Sequence, residues 1–283
     1  MPTCSSAGFS SMARQLVTLA PRQAEIPASL RSVVADSHNY TNLLHSMQRL
    51  RGRVYREIGA VESCQLTIDG RHEMPRDEQA WHVLVLNAGQ EVIGCARYLR
   101  HRTSTSFSRL GVAHSALARC EQWGDKLRSA VNRQIDLAAR QGIAFGEVGG
   151  WAIAAEHRGS TAAFKVGLAV CAMVQYMGQS VGLTTANMSF GSAAILKRFG
   201  MKPIVHNDEE LPTYYDPQYK RNIQILQFDS RFPNSRYADA LSEMRDYLRT
   251  APVFRASTFT ERIAALGQGH LPVPQSAGFE LVA

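Results

Sequence analysis

The spacing of apolar positions changes several times along this chain, and the changes mark its elements. Residues 1–38 are rich in Ser, Ala and Pro with only brief apolar stretches, which predicts a poorly ordered arm with one short helix near Arg14–Leu19. From Tyr40, the residues Leu43, Leu44, Met47, Leu50, Val54, Tyr55 and Ile58 recur at helical spacing. The runs WHVLVL (Trp81–Leu86) and EVIGCARYL (Glu91–Leu99) read as strands around Asn87-Ala88-Gly89-Gln90, a composition suited to a tight hairpin. Residues 112–141 read as a helix, with Val112, Leu117, Cys120, Leu127, Val131, Ile135 and Leu137 apolar and Gly142 as its stop.

Residues 145–201 carry a denser pattern. A short strand holds Glu147, a turn follows at Arg158-Gly159-Ser160, and a long apolar helix starts near Ala162. A second strand (Leu183–Met188) and a short helix ending at Lys197-Arg198-Phe199-Gly200 complete the block. The polar segment 206–222 predicts a long loop, which either covers a cleft or merely connects. IQILQF (Ile223–Phe228) reads as a strand; Tyr237, Leu241, Met244 and Leu248 line one face of a helix; an irregular tail follows from about Phe254. The expected fold is α+β, a mixed but mostly antiparallel central sheet flanked by helices. Its expected parts are an arm (1–38), a core domain (39–230) and a C-terminal helix and tail (231–283).

Composition narrows the class. With 45% hydrophobic and 19% charged residues, the 283-residue chain has the make-up of a soluble globular protein. No apolar run is long enough to cross a bilayer, and the first 20 residues lack the apolar core and cleavage site of a secretory signal. Five scattered cysteines with no CxxC pair argue against a disulfide framework and a zinc site, and suit a reducing cytoplasm. No metal is expected. The net charge of +7 admits a merely basic surface, which is the commonest case, or an acidic protein partner drawn by the field. No helix-turn-helix, zinc-finger or RNP-like pattern accompanies the charge, so nucleic acid is not expected as a partner.

Among candidate chemical residues, Glu147 stands in a strand before a turn. A carboxylate there either accepts a proton from a reacting amine or simply ends the strand in solvent or against an Arg. Gly149 and Gly150 interrupt the same strand, which marks a bulge or a close approach to the backbone. Arg158, Gly159, Ser160 and Thr161 lead into a helix, as an ordinary Ser/Thr cap or as a phosphate-binding N-terminus.

In element order and in the position of its turn, the 145–201 block resembles the acyl-thioester-binding half of GNAT-type N-acyltransferases. The resemblance implies a GNAT-like sheet, with Glu147 as base and a bulge at Gly149-Gly150 that opens the sheet for a pantetheine arm. It further implies that backbone N–H groups near Ala152, Ile153 and Ala154 polarise the thioester carbonyl, and that Arg158, Gly159 and Ser160 hold its phosphate. In the superfamily loop, Glu156 fills a slot that is usually basic and Thr161 one that is usually small, which favours the single phosphate of acyl carrier protein over CoA. Ser189 and Leu196 stand where the usual acetyltransferases place Asn and the Tyr that protonates the thiolate.

The N-terminal half resembles a narrower branch. RGRVYREIG (Arg51, Tyr55), DGRHEMPRDEQAWH (Asp77, His82), VIGCARYL (Arg97) and GEVGGWAI (Glu147, Trp151) run in the order seen in acyl-homoserine lactone synthases and long-chain N-acyl amino acid synthases. That resemblance, over about residues 43–230, implies a polar cluster of Arg51, Asp77 and Arg97 beside the amine site, with Tyr55 and Trp151 among the substrate-binding residues. Gly150 replaces the Arg that lactone synthases carry three residues after the Glu, and Met74 and Pro75 interrupt the acidic loop. The implied function is transfer of a fatty acyl group from a thioester, on acyl carrier protein ahead of CoA, to an amino acid or related amine. No permanently bound cofactor is implied. A homoserine-lactone-type signal synthase and a non-catalytic module that binds acyl thioesters or acyl carrier protein are the alternatives. The apolar face Phe164, Leu168, Cys171, Met173, Val174 and Met177 either lines an acyl pocket or packs the core.

Overall fold

The structure, a computed structural model, describes residues 16–258 except 103, together with 261. The principal helices are α1 (Ser37–Glu57), α2 (Gly124–Arg140), α3 (Thr161–Tyr176), α4 (Ser192–Arg198) and α5 (Ala238–Leu248). The strands are β1 (Leu16–Leu19), β2 (Val33–Ala35), β3 (Trp81–Leu86), β4 (Val92–His101), β5 (Ala144–Ile153) and β6 (Ser180–Asn187). They continue with β7 (Lys202–Pro203), β8 (Val205–His206), β9 (Glu209–Glu210), β10 (Tyr214–Asp216), β11 (Arg221–Asp229) and β12 (Val253–Arg255). One sheet runs β10-β11-β6-β5-β4-β3-β1-β12-β2, with β7 also on β11. Most of its pairs are antiparallel; β5–β6, β1–β12 and β12–β2 are parallel. This is the mixed, mostly antiparallel sheet that the sequence predicts.

Three expectations change. Over its described part, the short helix expected near Arg14–Leu19 is strand β1, antiparallel to β3 from Leu16↔Val85 to Leu19↔His82. All four of its residues are buried, so no polar alternation marks LVTL as a strand. With β2, it brings residues expected in the arm into the sheet. Val253–Arg255, expected in an irregular tail, is β12 and lies between β1 and β2. Residues 1–15 of the arm and the tail beyond 261 lie outside the described residues. The helix expected over 112–141 begins only at Gly124; 3₁₀ turns at Phe107–Arg109, Gly111–His114 and Leu117–Arg119 precede it. Ser115 Oγ donates to Val112 O (2.7 Å) and accepts from Ala118 N–H (3.1 Å), a local closure that competes with the helical ladder.

Alternation along β4 sorts the helices onto two faces. A side-chain carbon at Gly94 would come within 2.9 Å of Val166, so α3 packs directly on the strand there. Three residues on, Arg97 points to the opposite face, toward Asp77 and, through it, Arg51 of α1. On the α1 side, α2 covers Phe145, Val181, Leu183 and Ile225 in a second apolar core. Asp36 caps α1, its carboxylate accepting from His38 and Asn39 N–H at 2.9 and 3.0 Å.

Two departures from regular pairing create the site. Strands β5 and β6 pair from Ala144↔Ser180 to Val148↔Thr184, and there the ladder stops. Beyond it β5 stays with β4 while β6 stays with β11, so the sheet splays open along Gly149–Ile153. On the β4 side, Arg97 pairs with Gly149 and Cys95 with Ala152, so Gly150 and Trp151 together oppose Ala96 in a bulge. Gly150 has φ +62°, and a side chain there would also press on Arg97 and Arg51.

Candidate functional site

The splay opens into a cleft of about 700 Å³, lined by residues of β5, β6, α1, the start of α3 and the segment 214–219. Segment 206–222 is therefore more than a connection. It contains the end of β8 and all of β9 and β10, and its last turn lines the cleft and reaches α1. Tyr219 packs edge-on against Tyr55 with centroids 6.2 Å apart, Lys220 pairs with Glu62 at 2.8 Å, and the Arg221 guanidinium donates to Ile58 O.

Glu147 stands just before the ladder break and lines the cleft. Its Oε1 accepts from Gly111 N–H (2.8 Å), and its Oε2 is 2.8 Å from His101 Nε2. His101, at the end of β4, is 6% exposed and stands behind the carboxylate. The sequence reading did not include it. Leu99 pairs with Glu147, and alternation then puts His101 on the same face, a relation visible only once the β4–β5 register is known.

The structure brings Arg51, Asp77 and Arg97 together, but in different positions relative to the cleft. Arg51 is fully buried. It donates from Nη1 and Nη2 to the two Asp77 oxygens (3.1 and 2.5 Å) and from Nε and Nη2 to His72 O (3.2 and 2.5 Å). Asp77 is 3% exposed and also accepts from Gln48 and from Met74 N–H. Burial alone would raise its carboxyl pKa; the Arg51 guanidinium overcomes this and holds it at about 2. Neither residue lines the cleft, contrary to their expected place among substrate contacts. Arg97 does line it, held among the described residues by long contacts to Pro75 O (3.4 Å) and Asp77 Oδ1 (3.5 Å). Tyr55 and Trp151 also line the cleft, and Tyr55 Oη donates to Trp151 O (3.3 Å).

The cluster carries two buried histidines. His82 Nε2 lies 2.7 Å from Asp77 O, and because a carbonyl only accepts, that nitrogen carries the proton. Burial lowers His82 to about 4, and burial followed by the Arg51 charge lowers His72 to about 4. Between pH 6.5 and 4 the unfolded chain therefore binds more protons than the folded one, and stability falls as pH falls through that window. Urea midpoints at pH 7.5 and pH 5 are expected to show a loss of about 2 kcal/mol per histidine. Equal midpoints would show that these rings are not held neutral.

Ala152, Ile153, Arg158, Gly159 and Ser160 line the cleft; Ala154 is fully buried and does not. Ala154 N–H donates to Ile93 O (2.9 Å), and Ala152 N–H faces the Cys95 thiol, so both point toward β4. Alternation leaves Ile153 N–H on the edge that faces the splay. Ser160 caps α3 by accepting from Ala162 N–H (3.1 Å), and the Arg158 guanidinium pairs with Glu57 (3.1 Å) at the rim. Leu196, where the usual acetyltransferases have a Tyr, lines the cleft, as does Asn187. Of the α3 stripe, Phe164 lines the cleft and stacks with Phe199 (5.0 Å), whereas Leu168, Met173 and Val174 pack in the core. Among the described residues, no helix is long and apolar enough to cross a membrane.

No protein-family profile matches the sequence, and no curated protein matches it. Solved structures do. The CoA-dependent acyl-homoserine lactone synthase BjaI, with SAM and isopentyl-CoA, superposes with a TM-score of 0.52 at 15% identity, covering 90% of this chain and 99% of that one. The CoA-dependent acyl-homoserine lactone synthase MesI superposes with a TM-score of 0.50 at 14% identity, covering 86% of this chain and all of that one. Its splayed β5–β6 pair, bulged β5 and flanking helices give this chain the GNAT-type fold, in the form that acyl-homoserine lactone synthases take.

Proposed function

We propose that the protein is an N-acyltransferase that moves a fatty acyl group from a thioester to the amino group of an amino acid or related amine. The observation that carries this reading is the position of Glu147, a carboxylate at the vertex of the splayed strands, inside the cleft and held from behind by His101 and Gly111 N–H. Each Glu147 oxygen keeps a lone-pair site after those contacts, so the carboxylate can still accept a proton.

In this mechanism the thioester lies along the unpaired edge of β5, where Ile153 N–H polarises its carbonyl. The neutral amine attacks, the C–N bond forms, and the amine proton passes to Glu147. The C–S bond then breaks and the thiolate leaves. Arg97, the cation that faces the cleft beside Gly149, holds the acceptor; Arg51 and Asp77 keep Arg97 in place. Tyr55 and Trp151 wall the acceptor side, and Arg158, Gly159 and Ser160 receive the donor's phosphate.

Acyl carrier protein is the proposed donor carrier and partner. It presents one phosphate to a turn whose serine already occupies the Ala162 N–H, and an acidic carrier suits the +7 chain. BjaI and MesI are CoA-dependent, which makes the donor the first variable of the test. Free-thiol release is to be followed from acyl carrier protein and CoA thioesters of several chain lengths, against a panel of amino acids, with products identified by mass. Amine-dependent release with an N-acyl product is expected, faster from the carrier protein. Tight thioester binding without release from any pair would leave a binding module instead.

A further inference from the structure

The cleft contains a buried carboxylate that the reaction above does not use. Asp216, the last residue of β10, is 8% exposed and lines the same cleft as Glu147 and Arg97. Its Oδ1 accepts from Gln218 N–H (2.9 Å) and Tyr219 N–H (3.2 Å). Among the described residues its Oδ2 has no hydrogen-bond partner, and no cation lies within ion-pair distance of the carboxylate. A half-free carboxylate in a cleft, with no counter-charge of its own, attracts a cation that enters beside it. Tyr214 and Tyr219 also line the cleft there, and the Asp216 charge adds to burial in pushing both phenols up. The Tyr219 phenol also feels Arg97, with the opposite sign. This end of the cleft thus presents a cationic pole at Arg97 and an anionic pole at Asp216, with aromatic rings beside them.

Resting on the acyltransferase reading, we propose that Asp216 determines acceptor specificity, selecting an amino acid whose side chain carries a second positive charge. The acceptor's carboxylate lies on Arg97, next to Glu147 along the β4–β5 ladder, which puts the α-nitrogen at the base. The α-nitrogen forms the new C–N bond and gives its proton to Glu147 as the C–S bond breaks. The side-chain cation remains protonated and pairs with Asp216 Oδ2 throughout. The aromatic faces of Tyr214 and Tyr219 add to its attraction.

The test compares kcat/KM for lysine, ornithine and arginine with that for norleucine, glutamine and glutamate, using one acyl donor, in the native protein and in Asp216→Asn. Asparagine keeps an oxygen for the Gln218 and Tyr219 N–H groups, so the turn holds while the charge is lost. The native protein is expected to prefer the dibasic acceptors by about 10- to 100-fold. In Asp216→Asn the preference should collapse toward one. Titration calorimetry of free lysine should show the same loss of affinity without turnover. A preference unchanged by Asp216→Asn, or equal native rates with norleucine and lysine, would overturn the assignment while the acyltransferase reading survives. Lack of turnover with every acceptor would overturn both.

Discussion

Glu147→Gln is expected to lower kcat for acyl transfer by about 10²- to 10⁴-fold, the usual contribution of a positioned general base. The substitution is conservative in every other respect. Glutamine can still accept from Gly111 N–H, and His101 can present the other tautomer to the new amide. Thioester affinity and the urea midpoint should therefore stay near native, so that the loss appears in turnover alone. Steady-state rates with parallel binding measurements make the comparison. Full activity would remove Glu147 from the proton path. His101 adds a gradation: His101→Leu leaves the base in place without its rear contact, and its rate should fall between those of native and Glu147→Gln.

The second large effect concerns stability. Arg51→Met should cost about 3–5 kcal/mol, because it leaves the Asp77 carboxylate buried without its bidentate partner. Arg97, at 3.5 Å, is too distant to replace that pairing in full. A lower urea midpoint is the readout, together with a raised KM for the acceptor as Arg97 loses its anchor. Arg51→Met combined with Asp77→Leu should recover much of the stability, since neither member of the fully buried pair is then left without the other, while the acceptor KM stays high. If the single variant were as stable as the native chain, the buried pair would not be holding α1 to the loop that carries Asp77.

How much of this was legible in the sequence depended on whether the signal was local. WHVLVL and EVIGCARYL announced β3 and β4 because each is a run of strand-forming residues with a turn composition between them. Glu147 and the glycines after it were readable for the same reason: carboxylate, bulge and turn follow one another between residues 147 and 160. LVTL was missed because a four-residue strand buried on both faces has no alternation to detect. VFR in β12 was missed because three residues carry almost no periodicity. Ser115 hid the broken start of α2, since its capping hydroxyl interrupts a helix pattern that the apolar residues alone would sustain. His101 left no trace: it meets Glu147 across 46 residues of chain and only through the β4–β5 register. Asp216 was one polar residue among many in the 206–222 segment; that it lines a cleft requires the fold of that segment.

The order of β1, β12 and β2 has a consequence for biosynthesis. Leu16–Leu19 and Val33–Ala35 are among the first described residues to leave the ribosome, yet Val253–Arg255 stands between them in the finished sheet. Until those late residues emerge, β2 has no strand to join, and β1 has only β3. That edge of the sheet is assembled only after nearly the whole described chain has been synthesised, through contacts that close loops of more than 200 residues. A nascent chain stalled before Val253 would display an unpaired β-edge, the kind of surface that recruits chaperones.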